Sequence, residues 1–166
     1  MKEIDFKQIK ETVDNSDKIL IGIGEETDIS AKEVYETLNR YITDKDYFVV
    51  YMAETEELIK GIFKDDRCEK AISGIQNDDI GVKGNLSNYM KWLTMTLNKK
   101  LIVIELGAGF LKPHFLRWPF EKIVCLNNKA ELIRVNNRFP QISIEIADKA
   151  TAVHMSPEEF IEKLCL

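Results

Sequence analysis

The sequence is poor in the residues that form covalent or metal crosslinks. It contains three cysteines, Cys68, Cys125 and Cys165, and no two of them form a CxxC pair. An odd and scattered set of cysteines gives neither a disulfide framework nor the ligand spacing of a zinc site. We therefore expect reduced, structural cysteines and no bound metal.

Long apolar runs and basic clusters are also missing. No stretch approaches the ~18 apolar residues of a membrane-spanning helix, and no basic start followed by an apolar segment marks a secretory signal. The formal net charge is −5, so the long-range field of the protein repels a phosphate backbone. These absences predict a cytoplasmic protein that binds neither membranes nor nucleic acids.

Most of the chain alternates between apolar strands and amphipathic helices. Its 166 residues, 45% of them hydrophobic, are enough for one packed domain, so residues 1–166 are treated as a single domain. Nearly continuous apolar runs predict buried strands, at residues 18–24, 47–52, 101–106, 131–135 and 142–147. Helical periodicity predicts helices, at residues 2–14, 29–42, 54–63, 85–98 and from Ser156 onward. The alternation predicts a three-layer α/β domain with a mainly parallel sheet, helices on both faces, and ligands at the carboxyl ends of its strands.

Two local signals mark the ends of these elements. Ser156 and Glu159 have the spacing of a capping box, and Pro157 occupies the first helical position, so a helix is expected to begin there. Between Cys68 and Ser87 the sequence is polar and contains several glycines, which predicts the longest loop of the chain.

The segment LIVIELGAGF, residues 101–110, is an apolar run followed by two glycines one residue apart. On its own it would suit the first motif of an S-adenosylmethionine-dependent methyltransferase. Its position argues against that class, because two strand–helix units precede it and fewer than 70 residues follow Leu101. The next predicted strand also ends in Asn136, where a cofactor ribose is normally held by a carboxylate. The motif therefore fits a late strand of the sheet better.

From residue 88 onward, the segment NYMKWLTMTLNKKLIVIELGAGFLKPHFLRWPFEKIVCLNNKAELIRVN resembles the C-terminal half of the sirtuins, the NAD-dependent protein deacylases. It is most similar to bacterial sirtuin-like proteins in which RWPFEKI follows a glycine strand. Upstream, KILIGIGEE resembles the first glycine motif of the family, and DYFVVYMAETEELI resembles its second strand with the following asparagine–aspartate motif. The resemblance covers about two thirds of the chain and is most specific over residues 98–136. It implies a Rossmann-like sheet with NAD lying across its carboxyl edge.

The resemblance also implies which residues bind the cofactor, NAD or an ADP-ribose-like nucleotide. The candidates lie in the first glycine motif, in the glycine turn and near the last two strands, and are Gly22, Gly24, Gly107, Gly109, Asn136, Asp148, Lys149 and Ala150. Gly107 and Gly109 fall where the family turns its backbone toward the adenosine ribose, and Asn136 falls where an asparagine touches that ribose. Residues 148–150 fall near the adenine pocket.

The chain departs from the sirtuin pattern where the family does its chemistry. Its first loop reads GIGEETD, and Glu25 and Glu26 would repel a pyrophosphate by roughly 1 to 4 kcal/mol per close pair. No histidine lies between Phe63 and Trp92, where the catalytic base should stand. The zinc-binding module is missing and is replaced by the polar loop over residues 76–85. These departures predict a protein without deacylase activity.

Several candidate residues also have a purely structural interpretation. Gly22 and Gly24 could simply end a strand tightly, since the third glycine of GxGxxG is missing. Glu54 could hold a ribose, but a helix start suits it better. His114 and His154 have no partners at ligand spacing and are more typical of structural histidines.

Two functions therefore remain open from the sequence. The first is a reduced sirtuin-like domain that binds NAD, ADP-ribose or a related nucleotide. The second is a non-catalytic scaffold that has lost its ligand and acts by protein interaction. The apolar segments FLRWPFEKI and FIEKLCL favour self-association, and a homodimer is the simplest arrangement.

Overall fold

The computed structural model describes residues 4–72 and 87–166, and these form a three-layer domain around one six-stranded sheet. The strands are β1 (Lys18–Ile23), β2 (Tyr47–Tyr51), β3 (Cys68–Lys70), β4 (Leu101–Leu106), β5 (Ala130–Val135) and β6 (Ala150–Val153). Every neighbouring pair is parallel, in the order β3-β2-β1-β4-β5-β6. This is the doubly wound Rossmann-like order. Strands β2 and β3 extend the sheet on one side of β1, and the strand order then reverses, so that β4, β5 and β6 extend it on the other side. The predicted α/β class is confirmed.

Helices cover both faces of the sheet. They are α1 (Phe6–Asp14), α2 (Lys32–Ile42), α3 (Glu56–Ile59), α4 (Asn88–Thr94), α5 (Arg117–Leu126) and α6 (Pro157–Leu164). Buried side chains of α1, α2, α3 and α6 share one apolar core with the first face. Those of α4, α5 and a 3-10 helix (Ile144–Lys149) share the second core. No helix of the described residues is long and apolar enough to cross a membrane.

The strands supply both cores because side chains alternate across a pleated sheet. On β1, Ile19, Ile21 and Ile23 enter the first core, whereas Leu20 enters the second. A strand with neighbours on both sides and helices on both faces has no polar side, which is why β1 and β4 read as continuous apolar runs.

The beginning of α6 agrees with the sequence. The Ser156 hydroxyl accepts a hydrogen bond from the backbone N–H of Glu159 at 3.1 Å, and Pro157 is the first helical residue. A capped first turn holds the helix start in place, with Pro157 packed against Gly107 at the end of β4.

The predicted strand at 142–147 is wrong. Residues 144–149 form a 3-10 helix, and β6 begins only at Ala150. The sequence shows isoleucines at every second position, which is typical of a strand. In the structure Ile146 is buried in the second core, whereas Ile144 is 87% exposed. One buried residue per turn suffices for a short helix that lies on the sheet.

Three other elements differ from expectation. Strand β3 is short and contains Glu69 and Lys70, so that no apolar run marked it. The helices expected over 54–63 and 85–98 are shorter in the structure, where α3 and α4 occupy only part of each range. Most of the polar loop predicted between Cys68 and Ser87 lies outside the described residues.

Helix α5 was not predicted, because a proline interrupts its sequence. Pro119 lies in the first turn of this helix, where a backbone N–H has no intrahelical acceptor. A proline at that point removes no hydrogen bond. The helix then places Phe120 and Val124 on the second face of the sheet.

Gly22 of β1 lies directly beneath α5. A Cβ atom at this position would stand 2.3 Å from Cε2 of the Phe120 ring. The residue belongs to a regular strand, so an alanine fits its backbone but not the space above it. This close approach explains why the strand has a glycine at position 22.

We expect Gly22→Ala to lower the free energy of unfolding by about 1–3 kcal/mol, the usual effect of overpacking a core. In a Phe120→Leu background the same substitution is expected to cost clearly less, because the ring that it meets is gone. Urea unfolding of the wild type, both single variants and the double variant measures this coupling. Equal costs in both backgrounds would contradict the packing argument.

Candidate functional site

The reversal of strand order places two loops side by side at the carboxyl edge of the sheet. The loop over residues 24–28 follows β1, and the loop over residues 107–113 follows β4. The backbone N–H of Gly24 donates to the carbonyl of Leu106 at 2.7 Å, and that of Glu26 donates to Gly107 at 2.8 Å. Ligands of open α/β sheets bind in the crevice at this point.

Two glycines allow these loops to meet. Gly107 has a φ of +65°, in the left-handed region that residues with a side chain rarely adopt. A Cβ atom on Gly24 would lie 2.4 Å from Cα of Ala108. Thr27, and Pro157 at the start of α6, close over Gly107, so that the turn over residues 107–109 is buried by the chain itself.

Asn136 ties the end of β5 to both loops. Its Oδ1 accepts hydrogen bonds from the backbone N–H groups of Arg138 and Phe139, each at 2.8 Å. Its amide nitrogen donates to the carbonyl of Ala108 at 3.1 Å and to Oε2 of Glu26 at 2.8 Å. With both ends of the amide engaged, the side chain is fixed in orientation.

The Glu26 carboxylate lies over Gly109 and is paired. Its Oε1 accepts a hydrogen bond from Nη2 of Arg138 at 2.6 Å, while Oε2 is held by Asn136. The same Oε1 stands 2.7 Å from the point that a Cβ atom on Gly109 would occupy. The expected repulsion by two acidic residues is therefore partly offset within the protein, since Arg138 compensates the charge of Glu26.

Glu25 stands beside this pair in a different environment. Its Oε1 is buried and has no hydrogen-bond partner among the described residues. It approaches the same point above Gly109, at 3.0 Å. Both carboxylates thus converge on the space above the glycine turn, but only that of Glu26 is bound by cationic and amide donors.

A buried cluster of charges lies under the site, on the second face of the sheet. Nε and Nη2 of Arg134 donate to the two carboxylate oxygens of Glu105 at 2.8 and 3.0 Å, and both side chains are 1% exposed. Nη1 of Arg134 also donates to Glu121 of α5 at 2.7 Å. These contacts fix α5 against β4 and β5.

Arg117 connects this cluster to the loops. Its guanidinium lies 4.0 Å from Glu105 and donates to the carbonyl oxygens of Ala108 and Phe139, both at 2.9 Å. A third hydrogen bond reaches the carbonyl of Gln141 at 3.2 Å. Burial raises the pKa of Glu105, opposed by the Arg134 guanidinium, and burial lowers the pKa of Arg117.

A second ion pair forms the opposite rim of the crevice. Glu54 follows β2 in a 3-10 turn and pairs with Lys112 of the loop after β4. The hydrogen bond between them lowers the pKa of Glu54 and raises that of Lys112. The helix start favoured for Glu54 is confirmed, and its partner is a protein side chain.

The structure brings together half of the residues that the sequence singled out. Gly24, Gly107, Gly109 and Asn136 meet at the carboxyl edge. Gly22 lies deeper, under Phe120.

Residues 148–150 stand at the other end of the sheet, because β6 begins at Ala150. Nζ of Lys149 donates to the carbonyl oxygens of Val124 and Asn127, at the end of α5. Asp148, Lys149 and Ala150, which the resemblance assigns to the vicinity of the adenine pocket, therefore lie apart from the glycine loops in the structure.

Two arginines of the site were missed by the sequence interpretation. Arg117 belongs to the segment RWPFEKI, but the resemblance assigned it no role, and Arg138 follows no motif. Their contacts reach loops distant in sequence. A usable signal existed for the cluster below them. Glu105 is the single charge of β4, and Arg134 lies between apolar residues near the end of β5. A buried charge requires a partner.

No protein-family model matches the chain, and none of the curated proteins gives a significant match. Over residues 4–72 and 87–166, no group of three or more His, Cys, Asp and Glu side chains is arranged to hold a metal ion.

We expect Glu105→Gln to lower the free energy of unfolding by about 3–5 kcal/mol, because it leaves the buried Arg134 without its bidentate acceptor. The double variant Glu105→Leu with Arg134→Met is expected to recover much of this loss, since it removes both charges. Guanidinium unfolding compares them with Glu131→Gln, an exposed control on β5. A double variant less stable than Glu105→Gln would contradict the pairing argument.

Proposed function

We propose that the protein is a sirtuin-like nucleotide-binding domain that holds NAD, ADP-ribose or a related nucleotide at the carboxyl edge and does not catalyse deacylation. One observation carries the proposal. The strand order reverses between β1 and β4, and a glycine loop lies at the end of each of these strands. A crevice at such a reversal is the usual nucleotide position in a doubly wound sheet.

The surroundings of the crevice suit the adenosine end of a nucleotide. Asn136 presents a fixed amide at the end of β5. Phe110 is 51% exposed, with the Arg117 guanidinium 4.1 Å from its ring centroid. Phe139 packs edge-on against it at 5.3 Å. An aromatic ring with one supported face offers its other face to a purine.

The proposed site has no histidine to act as the general base of deacylation. The chain contains two histidines, and both are exposed. His114 packs beside Phe115, and a ring nitrogen of His154 lies 2.6 Å from the backbone carbonyl of Asn137. General-base catalysis typically supplies 10²- to 10⁴-fold, so that its loss leaves turnover close to background.

A thermal-shift panel tests the binding proposal. We expect NAD and ADP-ribose to raise the unfolding midpoint of the wild type, AMP to raise it less, and S-adenosylmethionine to leave it unchanged. Asn136→Ala is expected to abolish the shift, whereas Lys149→Ala, at the opposite end of the sheet, keeps it. A shift that is lost in Lys149→Ala and kept in Asn136→Ala would refute the site.

Incubation with NAD and acylated peptides tests the absence of catalysis. We expect nicotinamide release at the background rate with acetylated and with longer-acyl peptides. Turnover well above background that disappears in Asn136→Ala would show that the site is an active centre. The same turnover in both proteins would indicate a contaminating enzyme.

A second candidate function is a scaffold that acts through protein contacts, in the simplest case as a homodimer. The observation in its favour is an exposed apolar strip after β4, in which Phe110 is 51%, Leu111 86% and Trp118 60% exposed. Most apolar residues of the C-terminal segment, by contrast, are buried within α6 and its core. A ligand panel without any shift would favour the scaffold over the nucleotide-binding domain.

A further inference from the structure

The contact between Glu26 and Arg138 has the composition of an occupied anion site. A guanidinium and a side-chain amide hold one carboxylate, over distances of 2.6 and 2.8 Å. The carboxylate lies above Gly109, in the crevice between the ends of β1 and β4. The anion in this site comes from the chain itself.

The amide donor, Asn136, is held in place without help from Glu26. Asn136 is oriented by the backbone N–H groups of Arg138 and Phe139 and by the carbonyl of Ala108. Its amide N–H therefore remains directed into the crevice when Glu26 departs. The Arg138 side chain is 67% exposed, so an incoming anion reaches it directly from solvent.

Release of Glu26 requires only a side-chain rotation. The backbone of its loop is fixed by other contacts, namely the hydrogen bond from Thr27 Oγ1 to the carbonyl of Gly24 and that from the Asp28 N–H to Glu158. The Glu26 side chain is 18% exposed and lies near the surface. A rotation about its side-chain bonds can thus vacate the site while the fold stays intact.

We propose that Arg138 and Asn136 form a subsite for a phosphate of the ligand, and that the Glu26 carboxylate occupies this subsite as an internal competitor in the free protein. The identity of the ligand as a nucleotide rests on the function proposed above. The subsite itself rests on the two donors and their present occupant. Arginine is the side chain best suited to exchange a carboxylate for a phosphate, because its planar donors match both groups.

An internal competitor lowers the apparent affinity for an anion in proportion to the fraction of time that it holds the site. Replacing Glu26 with glutamine keeps the size of the side chain and removes the charge that binds Arg138. Glu25→Gln makes the same change of charge one residue away, and Glu25 contacts neither Arg138 nor Asn136 by a hydrogen bond among the described residues. The two variants are therefore matched in charge and differ in the proposed contact.

The experiment titrates inorganic pyrophosphate, ADP-ribose and adenosine into the wild type, Glu26→Gln, Glu25→Gln and the double variant Glu26→Gln with Arg138→Gln. We expect Glu26→Gln to bind pyrophosphate and ADP-ribose about tenfold more tightly than Glu25→Gln does, as for a competitor that occupies the site about nine tenths of the time. Loss of Arg138 should cancel the gain. Adenosine, which has no phosphate, should bind all four proteins equally. Circular dichroism confirms that each variant is folded.

Each result separates the subsite from the proposed function. Equal gains in affinity for pyrophosphate in Glu25→Gln and Glu26→Gln would reveal a general charge effect and overturn the subsite. A Glu26→Gln variant that binds pyrophosphate no more tightly than the wild type would also overturn it. A gain for pyrophosphate with no binding of ADP-ribose or adenosine would keep the subsite and reject the nucleotide. ADP-ribose binding alike to all four proteins would keep the nucleotide and reject the competitor.

Discussion

The buried ion pair between Glu105 and Arg134 organises the carboxyl edge of this sheet. Two opposite charges on neighbouring parallel strands are removed from water, so each depends on the other for its hydrogen bonds. Glu121 joins the pair from α5 and fixes that helix, whose first turn carries Arg117. Arg117 then holds the carbonyl oxygens of the loops after β4 and β5. The positions of both loops therefore follow from a charge balance within the second core.

The protein buries its own glycine turn over residues 107–109. In a doubly wound sheet the loops after β1 and β4 border the ligand crevice, whereas here they are hydrogen-bonded to each other. Glu26 and Pro157 cover the turn, and Glu26 takes hydrogen-bond donors that a ligand would otherwise use. In the proposed binding mode the ligand therefore competes with the chain itself and displaces the Glu26 side chain as well as water.

The sequence predicts those parts of the fold that depend on continuous burial. Strands β1, β2 and β4 are nearly continuous apolar runs and β5 is mainly apolar, because both of their faces are covered, and the pattern identifies them directly. The prediction of a strand at residues 142–147 was wrong because Ile144 and Ile146 have the two-residue spacing of a strand, whereas only Ile146 is buried. The site was harder to predict, since Glu26 and Arg138 are 112 residues apart and meet only through the sheet order.

The glycines show how far a motif supports a function. A side chain at Gly22 would clash with Phe120, and one at Gly24 would clash with the backbone of Ala108. Packing therefore explains both glycines without a ligand. Gly109 differs, because the groups closest to its missing side chain are two carboxylates that converge from another loop. Packing of the core does not require charged groups above a buried turn. A ligand site is therefore indicated by this space and by the arginine and amide directed into it, and not by the glycine pattern alone.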